Sequence, residues 1–337
     1  MQNEFHRKRI VIHKIIDKIL RKAFIEKDPG ENGQGKTHGL GMIGWGWPIG
    51  LVEIIDKNVN RYYLKGGKYV WGAEQTEALE AIKRTKKLYD ENIIWQDQIV
   101  AKNSDAENQY LAGQLGMYYT NPGVGEVSRI RNEMVKAHPG IDREKAFAPL
   151  YLKNPDDKMW AIQGVDYWSA TVFNSKLSDE KLERILTAWD WIATDEGYEF
   201  ATKGLKGVHW DMEGDKVKYL TDEPLKGTNI YNMVRLTGAY ELENPLFTEE
   251  DRQIVKDVAE RRQQDDDLYL KEVDYDLYFF NAENYDKYGA LYPEIKDKVV
   301  NILASPEDAE QQWNEFIKAS KPKVDLVIKE LNDGLLK

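Results

Sequence analysis

Tyr110-Leu-Ala-Gly-Gln-Leu-Gly-Met-Tyr-Tyr-Thr-Asn-Pro-Gly123 decides the fold class. Residues 115–120 form a short apolar run bounded by turn residues, the pattern of a buried strand. Asn121-Pro122-Gly123 then closes it with a strong turn. Upstream, residues 74–91 read as a helix with Ala78, Leu79, Ile82 and Leu88 along one face. Downstream, Trp168-Ser-Ala-Thr-Val-Phe173 reads as a second strand. A helix follows, N-capped at Ser178, with Leu182, Ile185, Leu186 and Trp189 on one side. Another runs from Thr194 to a C′ glycine, Gly204. Thr248 caps a helix carrying Ile254, Val255 and Val258. Ser305-Pro306 starts one with Trp313, Phe316 and Ile317, and residues 322–334 add a last one. From Asp28 to Pro48 the chain is glycine-rich and reads as turns. Strands alternating with helices give an α/β protein.

Composition removes several functional classes. The 337 residues carry 58 acidic and 47 basic side chains, a formal charge of −11. Broad nucleic-acid binding rests on phosphate neutralisation by Lys and Arg, so no nucleic-acid partner is expected. There is no cysteine, hence no disulfide, thiolate metal site or cysteine nucleophile. No apolar run approaches the roughly 18 residues of a membrane span. At 42% hydrophobic, the chain can build real cores. Its 10 tryptophans outnumber its 9 phenylalanines, although indoles are awkward core fillers. Many flat rings in an acidic chain suit a cleft that stacks on sugars. Residues 1–27 differ from the rest, with a net charge of +5 and Ile12, Ile15, Ile16, Ile19 and Leu20 at helical spacing. They read as a basic helix and not as a signal peptide.

Two motifs match their patterns and fail their contexts. Gly30-Glu-Asn-Gly-Gln-Gly-Lys-Thr37 satisfies the phosphate-loop spacing, and Gly39-Leu-Gly-Met-Ile-Gly44 the dinucleotide fingerprint. Both need a buried strand before them and a regular helix after them. Here charged helix-like residues precede, and Trp45-Gly-Trp47-Pro48 follows. The five histidines have no zinc spacing, and no Gly-x-Ser-x-Gly turn occurs. Carboxylates are plentiful, so a paired-carboxylate glycoside hydrolase stands as the rival reading.

The Met-strand segment 110–122 resembles a motif of the extracellular solute-binding proteins of ABC importers. The resemblance continues through Asp166-Tyr-Trp-Ser-Ala-Thr-Val-Phe-Asn-Ser175. It is strongest in Leu182-Glu-Arg-Ile-Leu-Thr-Ala-Trp-Asp-Trp-Ile-Ala-Thr-Asp-Glu-Gly197 and Lys203-Gly-Leu-Lys-Gly-Val-His-Trp210. These stretches look like the LplA-like oligosaccharide-binding lipoproteins of Gram-positive bacteria. The resemblance implies an α/β two-lobed clamp of the periplasmic-binding-protein type II kind, with the first lobe incomplete. Members of the family start with a lipoprotein signal and a lipid-bearing cysteine. By that measure this chain is expected to be N-terminally truncated. Residues 1–20 would be an atypical basic segment, and 21–155 and 216–337 the second lobe. Residues 156–215 would be the remnant of the first lobe with its hinge crossings.

The implied function is binding an extracellular oligosaccharide and passing it to a membrane permease, as a monomer and without catalysis. Candidate ligand contacts follow from position. Tyr119 and Asn121 lie at the mouth of the Met strand, and Asp166 and Trp168 open the cross-lobe strand. Trp45 and Trp47 sit on a flexible loop expected to be exposed, and Trp210 follows His209 in a loop. Trp189, Trp191 and Trp313 are assigned to core packing. The 28–37 loop resembles a calcium loop of some relatives. Asp28 and Asn32 match its ligands, and Gly30 and Lys36 replace expected oxygens. No other cofactor is implied.

Overall fold

The structure, a computed structural model, describes residues 10–11, 23–44, 47–102, 104–120, 124–148, 152–153, 159–160, 172–214, 216–220, 248–264, 268–269 and 282–334. In chain order its strands are β1 (Ile10–Val11), β2 (His38–Met42), β3 (Tyr62–Lys65), β4 (Lys68–Trp71), β5 (Leu115–Tyr119), β6 (Leu152–Lys153), β7 (Met159–Trp160), β8 (Trp210–Glu213), β9 (Lys216–Tyr219) and β10 (Leu268–Tyr269). The helices are α1 (Ile49–Ile55), α2 (Thr76–Asp90), α3 (Asp105–Leu111), α4 (Val124–Ala137), α5 (Arg143–Ala146), α6 (Asp179–Ile192), α7 (Asp195–Lys203), α8 (Glu249–Gln264), α9 (Glu283–Tyr288), α10 (Tyr292–Ala304) and α11 (Ala309–Gly334). The mixed α/β class is as expected. The chain divides into two compact units. One is Met1–Pro122, Arg129–Gln163 and Arg261–Lys337, and the other Gly123–Ser128 with Gly164–Glu260.

In the first unit, β2 and β5 pair in parallel, with Met42 opposite Tyr119. The expectation of turns throughout 28–48 therefore fails at residues 38–42. Glycine weakens a strand by entropy, but here it permits close approach. A Cβ on Gly41 would come within 2.4 Å of the Leu115 side chain and 3.2 Å of Ala106. The other side of β2 is held by the segment after α2: Leu40 N–H donates to Ile93 O at 2.8 Å, and Trp95 N–H to Leu40 O at 2.9 Å. Gln98 completes that side at the strand's end. Its side-chain oxygen accepts from Met42 N–H at 2.7 Å, and its amide donates to Met42 O at 2.9 Å. Gln98 is fully buried, so both bonds satisfy backbone groups that water cannot reach.

The β3–β4 hairpin turns at Gly66-Gly67, both at positive φ (64° and 79°). Two such residues make a two-residue turn whose twist matches the strands. The side chain of Asn332 on α11 covers β4. Its oxygen accepts from Tyr69 N–H at 2.9 Å, and its amide donates to Tyr69 O at 3.2 Å. Trp71 and Trp313 are buried in the core between the hairpin, α2, α10 and α11. Each indole finds a carbonyl, Ala290 O for Trp71 and Ala73 O for Trp313, both at 3.1 Å. The core assignment of Trp313 holds. Helix α11 starts at Ala309 because Asp308 caps it, accepting from Gln311 N–H at 2.8 Å. It then continues through Pro322, where two helices were expected. Trp313, Ser320, Val324, Val327 and Leu331 form one buried stripe, and its packing outweighs a proline cost of ~3 kcal/mol.

Residues 10–11, expected in a helix, form a strand parallel to β6; the rest of the basic segment lies outside the described residues, apart from 23–27. Of the expected strand 168–173, only Val172 and Phe173 are described, and they are irregular and exposed. In the second unit, Thr194 caps α7 by accepting from Gly197 N–H at 3.2 Å, and Gly204 ends it at φ 83°, both as read from the sequence. Helix α6 has no buried residue, which corrects the assignment of its tryptophans to a core. Trp189 is half-buried against Phe173, and Trp191 is 41% exposed beside Phe200.

Replacing Gln98 with Ala leaves two buried backbone groups of Met42 unpaired. We expect urea denaturation to show a loss of about 2–6 kcal/mol, at about 1–3 kcal/mol for each buried unsatisfied group.

Candidate functional site

Ligands of open parallel sheets bind outside the carboxyl ends of the strands. Here those ends are Met42 and Tyr119. Tyr119 O accepts from Ile43 N–H at 2.9 Å, which ties the two chain exits together. The loop leaving β2 runs through Trp47 into α1. Gly50 lies on that helix, and a Cβ there would stand 3.2 Å from Cε1, Cζ and Oη of Tyr119. The glycine lets α1 approach the phenol ring.

Helix α1 brings a carboxylate to this place. Glu53 and Arg61 form an ion pair at 4.0 Å, with side chains 31% and 29% exposed. The Asn60 side chain also hydrogen-bonds Glu53. Burial pushes the Glu53 carboxyl up, Arg61 and Asn60 pull it back, and Asp56 pushes it up again. Tyr119 and Tyr292 both feel Glu53. Burial raises each phenol first, and the Glu53 charge raises it further. Both hydroxyls therefore stay protonated at neutral pH. Tyr292 opens α10 and is exposed at the rim. One carboxylate, one guanidinium, one amide and two phenols thus gather at the strand ends. Flat rings offer stacking faces, and the polar tips offer both donors and acceptors for hydroxyls.

The candidates named from sequence fare differently. Tyr119 is half-buried within this cluster. Trp47 is on the same loop but 5% exposed, so the expected exposure is corrected. Its indole nitrogen is buried with no hydrogen-bond partner among the described residues. Hydrophobic neighbours in the first unit's core cover the ring. Trp210 belongs to the second unit and is 2% exposed, where a loop position had been expected. Its indole donates to Gly204 O at 3.0 Å, and Lys203 Nζ sits 4.7 Å from its ring centroid. It closes the end of α7 and starts β8. Trp45, Asn121, Asp166 and Trp168 lie outside the described residues. Glu53, Asn60, Arg61 and Tyr292 were not singled out from sequence. Their neighbourhood joins residues more than two hundred positions apart, and no local pattern announces it.

The 28–37 loop, which resembles a calcium loop in sequence, is closed by its own hydrogen bonds. Asp28 accepts from Gly33 N–H at 2.7 Å and from the Thr37 hydroxyl. Asn32 turns its amide nitrogen inward, donating to Thr37 Oγ and Gly113 O at 3.0 Å and to Asp28 at 3.4 Å. The groups converging on Asp28 are hydrogen-bond donors, whereas calcium requires six to eight oxygens. As folded, the loop closes on Asp28 by hydrogen bonds. The Thr37 hydroxyl and then the Gly33 N–H hold the Asp28 carboxyl below the ordinary carboxylate range.

Comparison with known proteins finds relatives and a shared fold. The chain is 27% identical over 212 residues to the polygalacturonan/rhamnogalacturonan-binding protein YtcQ of Bacillus subtilis (strain 168), covering 60% of this chain and 41% of that protein. It is 26% identical over 200 residues to lipoprotein LipO of the same strain, covering 57% and 39%. The chain thus spans about two fifths of the length of these curated relatives. A crystal structure of alginate-binding protein AlgQ2 without calcium ion superimposes with a TM-score of 0.58 at 17% identity, covering 98% of this chain and 69% of that one. The chain shares the fold of that alginate-binding protein. No protein-family model matches the chain.

Two expectations follow for the loop. Neither calcium nor EDTA should move the melting temperature. Asp28→Ala should lower it at neutral pH, because a depressed carboxyl stabilises above its unfolded pKa. That difference should vanish as pH falls through the depressed folded value; a calcium-induced rise would contradict the hydrogen-bonded closure.

Proposed function

We propose that this chain binds an extracellular oligosaccharide and delivers it to the permease of an ABC importer, without catalysis. The observation that carries the reading is the gathering of Tyr119, Tyr292, Glu53 and Arg61 at the carboxyl ends of β2 and β5. The relatives support it, since the names of two describe polysaccharide binding. The lipoprotein relative supports a place at the outer face of the membrane. Among the described residues no helix is long and apolar enough to cross a membrane.

The hydrolase reading needs two carboxylates facing one glycosidic bond. At this cluster Glu53 is half-buried, its side chain 31% exposed, while Asp56 is buried and accepts from its neighbour Asn58 N–H at 3.1 Å. A binding protein needs no second acid.

Titrating the protein with oligosaccharides should raise its melting temperature and change its tryptophan emission. A ligand at 100 times its Kd adds ~2.7 kcal/mol to stability. Tyr119→Ala should weaken binding about tenfold, the order of ~1–1.5 kcal/mol for one lost ring contact. No reducing sugar should be released on incubation with polysaccharide. Release of reducing ends would overturn the reading, and so would a response to peptides with silence across sugars.

A further inference from the structure

Glu53 stands where a bound sugar would have to be read, and its carboxylate is an acceptor only. Its single ion-pair partner among the described residues is Arg61, at 4.0 Å, the outer limit of such a contact. Asp56, one turn along the same chain segment, adds a second negative charge to its surroundings. Glu53 counters the Arg61 charge, and Lys57 faces Asp56, which also feels Glu77, so among the described residues the cluster carries no surplus positive charge for an anionic ligand. Two of the similar proteins are named for polysaccharides that contain uronate residues, each of which carries a carboxylate.

We propose that this cluster selects neutral sugar residues over uronates, with Glu53 as the discriminating group. The inference rests on the carbohydrate reading above. A neutral sugar donates a hydroxyl hydrogen to Glu53, a charge-assisted bond stronger than a neutral one. A uronate at the same place meets like charge. To reach Arg61 it would have to displace Glu53, leaving that carboxylate half-buried without its counter-ion. Rejection by like charge is a common source of specificity.

The test measures calorimetric affinity for length-matched pairs of oligosaccharides, one neutral and one oxidised to the 6-carboxylate, in gluco, galacto and manno configurations. The neutral member of the binding pair should be favoured at least tenfold. Glu53→Gln keeps the shape and removes the charge, so the gap should shrink at least fivefold. Glu53→Asp should preserve it. If either variant fails to fold, the gap in the unaltered protein should still narrow with added salt, as charge repulsion is screened. Equal or tighter uronate binding, or a gap indifferent to both Glu53→Gln and salt, overturns the selectivity while leaving the carbohydrate reading intact. Silence across all pairs overturns the carbohydrate reading and the selectivity with it.

Discussion

Met42 is held from both sides. Tyr119 pairs it through the parallel ladder, and the Gln98 side chain grips its N–H and C=O from the other edge. The rest of the first unit's candidate site follows from that clamp. Once the end of β2 is fixed, the loop through Trp47 has a fixed departure point. Gly50 then lets α1 settle against the Tyr119 ring, and α1 carries Glu53 to the strand ends. A buried amide that replaces a missing strand neighbour also removes the cost of unpaired backbone. Asn332 does the same for β4, with Tyr69 in the place of Met42. Two strand edges are thus finished by side chains, which also blocks pairing with another chain.

Much of the fold was legible where period and caps agree. Strand β5, helix α2, the Thr194 cap and Gly204 stop of α7, and the buried Trp313 all lie where the pattern placed them. Strand β2 was hidden because His38-Gly-Leu-Gly-Met42 looks like a turn by composition. Gly41 serves packing against Leu115 and Ala106, which are distant in sequence. Pro322 hid the unity of α11 for the opposite reason, since a strong local breaker was overridden by a long buried stripe. The candidate site was half legible. Tyr119 could be placed from the end of the Met strand, whereas Glu53, Arg61 and Tyr292 become neighbours only through tertiary packing.

The tryptophan excess has a more mixed meaning than stacking on ligand. Trp71, Trp210 and Trp313 are buried with their indole N–H groups satisfied by carbonyls, the arrangement that makes an indole acceptable inside. Trp47 is buried next to the candidate site with its N–H unpaired among the described residues. The candidate site in the first unit is built from tyrosines and one ion pair instead. Such groups combine a flat face with a polar tip, and a sugar presents the complementary pair, C–H faces and hydroxyls.

Hydrogen exchange with and without a binding oligosaccharide tests the central claim most directly. Ligand should slow exchange in α1 and at the carboxyl end of β5, around Glu53 and Tyr119, and leave the β4–α11 packing around Asn332 unchanged. Protection confined to segments away from Met42 and Tyr119 would contradict the account.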